Sequence, residues 1–345
     1  MCNIAGYVGK QEATPILLDM IRIQESLNGG FYTGLGVHDG VRVHARKVRG
    51  DLDTLLRTTD AASLSGCMGI IHSRTPSGGD GSWAHPFVTE RDGEIRLCYV
   101  ANGAAGRFQS RNGEYNALAD RLVREGFDIP CKIDYTGDRY SRLSTGKAVH
   151  MSDVMCQLIY RHRSGGKTLA EAMTAAFCEM PSEIVGLAIE PQTPDRICFS
   201  RINMPMFVGF DGTGAYLASS PTAFPARVKD YRLLPALSSG RVYKDHAEVT
   251  AIAAFPMEVS AVDEAAVERT AKVILARLRE GEAGFRELRP SVREMAPSNA
   301  LTETDALIYL SLLRLEECGQ IACRLSEWTV DGNTAPKKCF AKRTE

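Results

Sequence analysis

The feature that most constrains this chain is its first nine residues, Met1-Cys2-Asn3-Ile4-Ala5-Gly6-Tyr7-Val8-Gly9. Aminopeptidases remove an initiator methionine readily when the next side chain is small, as cysteine is. Removal of Met1 leaves one residue that carries both a thiol and a free α-amine. That amine titrates near pH 8, about 2.5 units below a lysine. It can take the thiol proton at neutral pH, so nucleophile and general base share one residue. Ile4, Tyr7 and Val8 are strand formers, and Gly6 and Gly9 suit close backbone approach or a turn. Taken alone, a structural cysteine on a buried edge strand accounts for the same residues.

A chain of 345 residues can bury a full core, as one large domain or two. A net charge of -1 gives no electrostatic case for nucleic acid or an anionic membrane. No apolar run approaches the roughly 20 residues needed to span a bilayer, and the start lacks a basic-then-apolar signal pattern. The ten cysteines form no CxxC pair and no zinc-spaced cluster with histidine. Reduced thiols, a cytoplasmic location and no bound metal or cofactor are therefore expected.

Thr14-Pro15 predicts a helix start with Thr14 as cap, an apolar face of Leu17, Met20, Ile21 and Leu27, and a stop at Gly29-Gly30. Strand-like runs at 34–37 and 41–46 flank an Asp39-Gly40 turn. A buried strand ends at His72-Ser73-Arg74, and another runs from Leu97 into Ala101-Asn102-Gly103. Helices are expected at 115–125, at 152–163 with Ser152 or Asp153 as cap, and at 167–180. Strands then dominate as far as 219. The pattern up to about Thr250 is two groups of strands separated by helices, which suits an α+β domain with helices layered on antiparallel sheets. Beyond it come an amphipathic helix over 262–280, a connector over 290–298, and a helix capped by Thr302 that is apolar almost all round. A strand-like run over 321–330 follows. A helix apolar on so many sides must be covered, by the main domain, a second copy or another subunit.

Cys2, His72-Ser73-Arg74, Ala84-His85-Pro86 and Asn102-Gly103 occur in a fixed order. As a set they resemble class II glutamine amidotransferase domains, a branch of the N-terminal-nucleophile hydrolases. Those domains are similar in glucosamine-6-phosphate synthase, amidophosphoribosyltransferase and glutamate synthase. Their motifs run roughly MCGIxGYxG, H-[ST]-R-x-x-T, AHP and HNG. Ser200-Arg201-Ile202 and Leu217-Ala218-Ser219-Ser220 look like the segments that close the same domain. The resemblance covers residues 1–255 and implies a four-layer αββα sandwich. A small, mainly helical appendage, 256–345, remains as a possible docking module.

What the resemblance implies for the site follows from the chemistry. A side-chain amide is unreactive, so a thiolate must attack it and pass through a γ-glutamyl thioester. Cys2 takes the part of nucleophile, with its own α-amine as base. The Asn102 side-chain amide and the Gly103 N–H stabilise the oxyanion. Arg74 grips the α-carboxylate of glutamine in a bidentate pair. Ser77 stands where the family has a hydrogen-bonding threonine. His85 fits the AHP position, either as a substrate contact or as a structural histidine, and His72 supports the loop after its strand. The sequence also departs from the family. Asn3 replaces a glycine, Ala101 replaces a common histidine, and Met151-Ser152-Asp153-Val154 stands where the family has D-[ST]-E-V. Strict alignment puts Met151 on the aspartate that holds the substrate ammonium. Asp153 serves in its place if the helix start shifts by half a turn, and is otherwise an N-cap.

The expected function is thus a glutaminase subunit that forms glutamate and ammonia from L-glutamine. Residues 251–345 are too few for an acceptor domain of the relatives' kind, so ammonia passes to a separate synthase subunit. The run from Trp83 to Phe87 fits a glutamate-synthase-type partner better than a sugar-type one. A non-catalytic regulatory subunit of the same fold, or an N-terminal-cysteine hydrolase of another amide, are the alternatives.

Overall fold

The computed structural model describes residues 2–137, 140–253, 255, 257–295 and 300–343. In chain order, β1 (Asn3–Gly9) leads to α1 (Ala13–Asn28), the hairpin β2 (Tyr32–His38) and β3 (Val43–Arg49), and α2 (Leu52–Thr58). β4 (Met68–Arg74) and the hairpin β5 (Phe87–Arg91) and β6 (Glu94–Ala104) follow. A helical stretch holds α3 (Asn112–Arg124), a short pair β7 (Ser141–Arg142) and β8 (Ala148–Val149), then α4 (Met151–Ser164) and α5 (Leu169–Glu179). Strands return as β9 (Glu183–Ile189), β10 (Arg196–Arg201), β11 (Phe207–Asp211), β12 (Gly214–Ala218), β13 (Asp230–Leu233), β14 (Ser238–Tyr243) and β15 (Ala247–Ala251).

These strands make two antiparallel sheets, in the orders β13-β11-β12-β1-β4-β2-β3 and β15-β14-β10-β9-β6-β5. Both faces of each sheet are covered, because alternate side chains of one strand enter different cores. On β1, Ile4 and Val8 join Ile70, Val100, Leu187 and Phe199 between the sheets. Ala5 and Tyr7 join Leu17, Met20 and Ile21 of α1 on the outer side. On β6, Leu97 and Tyr99 face α3, α4 and α5 instead. The result is the expected αββα sandwich. Each fully buried Leu, Ile or Met of α1 contributes roughly 1.5–3 kcal/mol by leaving water.

Local readings need four corrections. α1 begins at Ala13 with Glu12 before it, and the Thr14 hydroxyl donates to Leu64 O at 2.5 Å instead of capping the helix. His150 caps α4, its Nδ1 accepting from Ser152 N at 3.1 Å, so neither Ser152 nor Asp153 has that role. Past residue 256, the segment holds α6 (Glu264–Leu278), the short β16 (Ala283–Gly284), α7 (Phe285–Arg293) and α8 (Thr304–Glu317). Pro290 lies inside α7 where a connector was expected, and part of that connector, 296–299, falls outside the described residues. α8 follows Glu303 with no side-chain cap, so Thr302 does not cap it.

The segment is also less helical than expected. It ends in a hairpin of two ten-residue strands, β17 (Ile321–Val330) and β18 (Asn333–Lys342). The Pro336-Lys337-Lys338 run of β18 has poor strand propensity. Proline is tolerated because β16 pairs only Phe340 and Cys339, which leaves the other side of Pro336 without a strand.

The cover for α8 comes from α6, α7 and the sandwich itself. Ile308, Tyr309, Leu312 and Leu315 pack with Ile274, Phe285 and Leu288. Tyr309 OH donates to Asn3 Oδ1 at 3.1 Å, and Glu303 forms a buried ion pair with Arg201. No described helix is long and apolar enough to cross a membrane.

Candidate active site

Period-two alternation carries the site. Cys2 precedes β1 in phase with Ile4, Arg74 follows Ile70 and His72 on β4, and Asn102 follows Cys98 and Val100 on β6. Where the core between the sheets ends, these polar residues take over from apolar ones. Asn3 pairs with Ser73, which brings Cys2 alongside Arg74. From the other sheet, Asn102 Oδ1 accepts from Cys2 N at 2.8 Å, tying the two sheets together at this end.

The cavity here is about 250 Å³ and is lined by Cys2, Arg74, Ser77, His85 and Gly103, all expected from the sequence. Gly103 has φ +136°, and a Cβ there would stand 2.1 Å from Glu183 O, so only glycine lets β6 pass β9 so closely. Arg74 is buried, lies 4.6 Å over the Tyr32 ring, and donates to Gly78 O (3.0 Å) and Tyr140 OH (3.2 Å). Tyr140 OH in turn donates to Ser77 O. Two of the five guanidinium N–H groups are so used, which fixes the plane of the fork and leaves the others for a ligand.

Burial pushes the Cys2 thiol up, but His72, by hydrogen bonding and by charge, then the charge of the amino terminus and the Arg74 guanidinium outweigh it and bring the thiol down to about 6. The sulfur lies 3.9 Å from Thr75 Oγ1. His72 Nε2 is 3.1 Å from Ala101 O, an acceptor that calls for a proton on Nε2. The His72 Nδ1 meets no partner in strict hydrogen-bond geometry among the described residues, so its hold on the thiol is more electrostatic than directional. His72 thus does more than support a loop. Its ring lies 3.8 Å from that of His85, whose two nitrogens also have no hydrogen-bond partner among the described residues. Burial, then the charges of His72 and His150, keep His85 neutral, well below the usual histidine range.

Asp153 is the sequence-derived candidate that the structure does not bring to this cavity. It is 1% exposed and accepts from Cys131 N (3.1 Å) and Gln157 Nε2 (3.1 Å). It lines a separate cavity with Lys47, Phe87 and Gln157. The helix begins at Met151 under a His150 cap, so Met151 and Ser152 face Cys2's cavity, and Asp153, about 100° further round per residue, faces away.

Other lining residues were not singled out: Tyr140, His150, Glu183, and Arg289 and Arg293 of α7. Arg289 is held by Asp305 through bonds of 2.8 and 3.2 Å, while Arg293 is exposed. Their four-residue spacing shares a helix face, but nothing local says that this face meets a pocket some 200 residues back in the chain.

No family model matches the chain. It is similar to glutamine–fructose-6-phosphate aminotransferases (isomerizing). That of Clostridium tetani is 26% identical over 236 residues, 68% of this chain and 34% of the relative. That of Streptomyces coelicolor is 26% identical over 262 residues, 75% and 38%. The chain spans about a third of the length of these curated relatives. Among solved structures, glutamine phosphoribosylpyrophosphate amidotransferase from B. subtilis has a TM-score of 0.59 at 15% identity, covering 94% of this chain and 66% of that one. A structure described as the allosteric regulatory enzyme of purine biosynthesis has a TM-score of 0.60 at 16% identity, covering 80% and 58%. The fold is therefore that of the N-terminal-nucleophile amidotransferases. The sequence relatives, at 26% identity, support a class II glutamine amidotransferase domain.

Proposed function

We propose that this domain hydrolyses L-glutamine to glutamate and ammonia through a γ-glutamyl thioester on Cys2. The observation that carries the reading is the bond from Cys2 N to Asn102 Oδ1 beside a thiol brought down to about 6. Once Met1 is removed, that nitrogen is the α-amine, the base of the reaction. An amide has one acceptor oxygen and two N–H donors. With the Asn102 oxygen committed to Cys2 N, donation to the substrate falls to Nδ2.

The thiolate attacks the amide carbon, and its electron pair forms the C–S bond as the carbonyl π pair moves to oxygen. Asn102 Nδ2 and Gly103 N–H hold that oxyanion. The Cys2 ammonium gives a proton to the amide nitrogen, the C–N bond breaks, and ammonia leaves. Water, deprotonated by the amine, then opens the thioester and releases glutamate and the free thiol. Arg74, with Ser77, takes the substrate α-carboxylate, and His85 bounds the cavity as a neutral wall.

Ammonia goes to a separate synthase subunit. The docking surface on this side is the C-terminal segment, residues 256–345, where Leu325 on β17 is 70% exposed. All ten cysteines are free, which fits a reducing cytoplasm.

Intact mass and glutamate release test the reading together. The expected result is a mass lacking Met1, glutamate formed by the wild type, and release by Cys2→Ala down by at least about 10³-fold. A retained methionine with full activity, or an active Cys2→Ala enzyme, would end it.

A further inference from the structure

Glutamine is a zwitterion, and Arg74 answers only its carboxylate. A pocket that strips water from the ammonium group must return an acceptor to it. Asp153 does not do this, because it lies in the other cavity. Among the described residues lining the Cys2 cavity there is one carboxylate, Glu183.

Glu183 opens β9 directly opposite Ala104, two residues past Asn102. Its side chain is only 13% exposed. The loop after β6 is shaped around it: a Cβ on Gly106, at φ +58°, would stand 2.5 Å from the Glu183 carboxyl carbon. Arg107 N donates to Oε1 at 3.2 Å, and Arg107 Nε stands 3.7 Å from the same oxygen. Both contacts fall on Oε1. Oε2 accepts no hydrogen bond among the described residues. The neighbouring Ser182 hydroxyl reaches Met151 Sδ at 3.7 Å, which sets the start of β9 against the start of α4. Arg289, which also lines the cavity, feels the Glu183 charge, but its own is matched first by Asp305.

We propose that Glu183 Oε2 is the acceptor for the α-ammonium of the substrate, so that the site selects α-amino acid amides over amides with a carboxylate alone. The assignment rests on the hydrolase reading above. It places the ammonium group against β9 instead of the α4 start, and gives a role to a carboxylate otherwise held by one side only.

The test uses the full chain, with Glu183→Gln and two substrates. Glutaramate has the same amide and carboxylate as glutamine and lacks only the ammonium. The wild type should prefer glutamine. In Glu183→Gln that preference should fall by about 30-fold or more, through KM, with glutaramate turnover little changed. An unchanged ratio overturns the assignment. So does an equal loss on both substrates, which is what a brace for the Arg107 loop would produce. Calorimetry in a Cys2→Ala background separates this from failure of the hydrolase reading. Glutamine should bind Cys2→Ala more tightly than Cys2→Ala/Glu183→Gln even if no turnover is seen, and equal binding overturns the assignment.

Discussion

The two cavities beside the start of α4 differ in chemistry more than in size. One, about 250 Å³, holds Cys2, and the other, about 310 Å³, holds Asp153 and Lys47. The Phe87 and His150 rings, stacked at 5.0 Å, stand between them. In the first, His72, the amino-terminal charge and Arg74 outweigh burial and bring the thiol down to about 6. In the second, burial wins: it pushes the Asp153 carboxyl up and the Lys47 ammonium down, each towards its neutral form. The larger cavity is therefore the less reactive one. Opposite charge aimed at a thiol, and not the volume around it, sets the reactive cavity apart.

Three measurements can break or sharpen that contrast. The largest effect is expected from Asn102→Ala, which removes both the oxyanion donor and the acceptor for Cys2 N. Its kcat for glutamate release should fall by about 10²–10³, and a loss under threefold would show that the bond between the sheets has no catalytic part.

Next comes the pH dependence of thiol alkylation, followed residue by residue by mass spectrometry. The Cys2 rate should be half-maximal near pH 6 and fall about tenfold per unit below it, because only the thiolate reacts. Cys131 and Cys156, beside Asp153, are pushed well above the usual thiol range and should stay unlabelled in the native protein. A Cys2 midpoint above 8 would remove the electrostatic part of the comparison.

The smallest effect is expected from Asp153→Asn. It should leave the KM for glutamine within about threefold, since the side chain touches Cys131 and Gln157 and not the Cys2 cavity. A tenfold rise would mean that the helix start does shift on binding, and that Glu183 is not the ammonium acceptor.

Much of the fold was legible because its signals are local. Strand formers from Ile4 to Val8 and apolar runs leading into Arg74 and Asn102 put Cys2, Arg74 and Asn102 near strand ends, where they are found. Asp153 was misplaced because helix phase depends on which residue caps the helix, and histidine is an unusual cap. The second strand of the hairpin was missed because Pro336 and the lysines beside it argue against a strand, and only the absence of a paired strand beside that residue permits it. Glu183, Arg289 and Arg293 carry no local mark of function. They reach the cavity only through long-range packing, in part through Asp305 on α8 holding Arg289 of α7.

From the amino acids alone came a candidate nucleophile and an α+β pattern of strands and helices, because residue chemistry and strand formers act within a few positions. The resemblance of the motifs as a set implied the layered sandwich and the parts of Arg74 and Asn102. Which carboxylate meets a substrate, and that the last ninety or so residues help wall the cavity, belongs to the tertiary structure. Those contacts join positions far apart in the chain, and only the packed whole sets the helix phase and the burial that decide them.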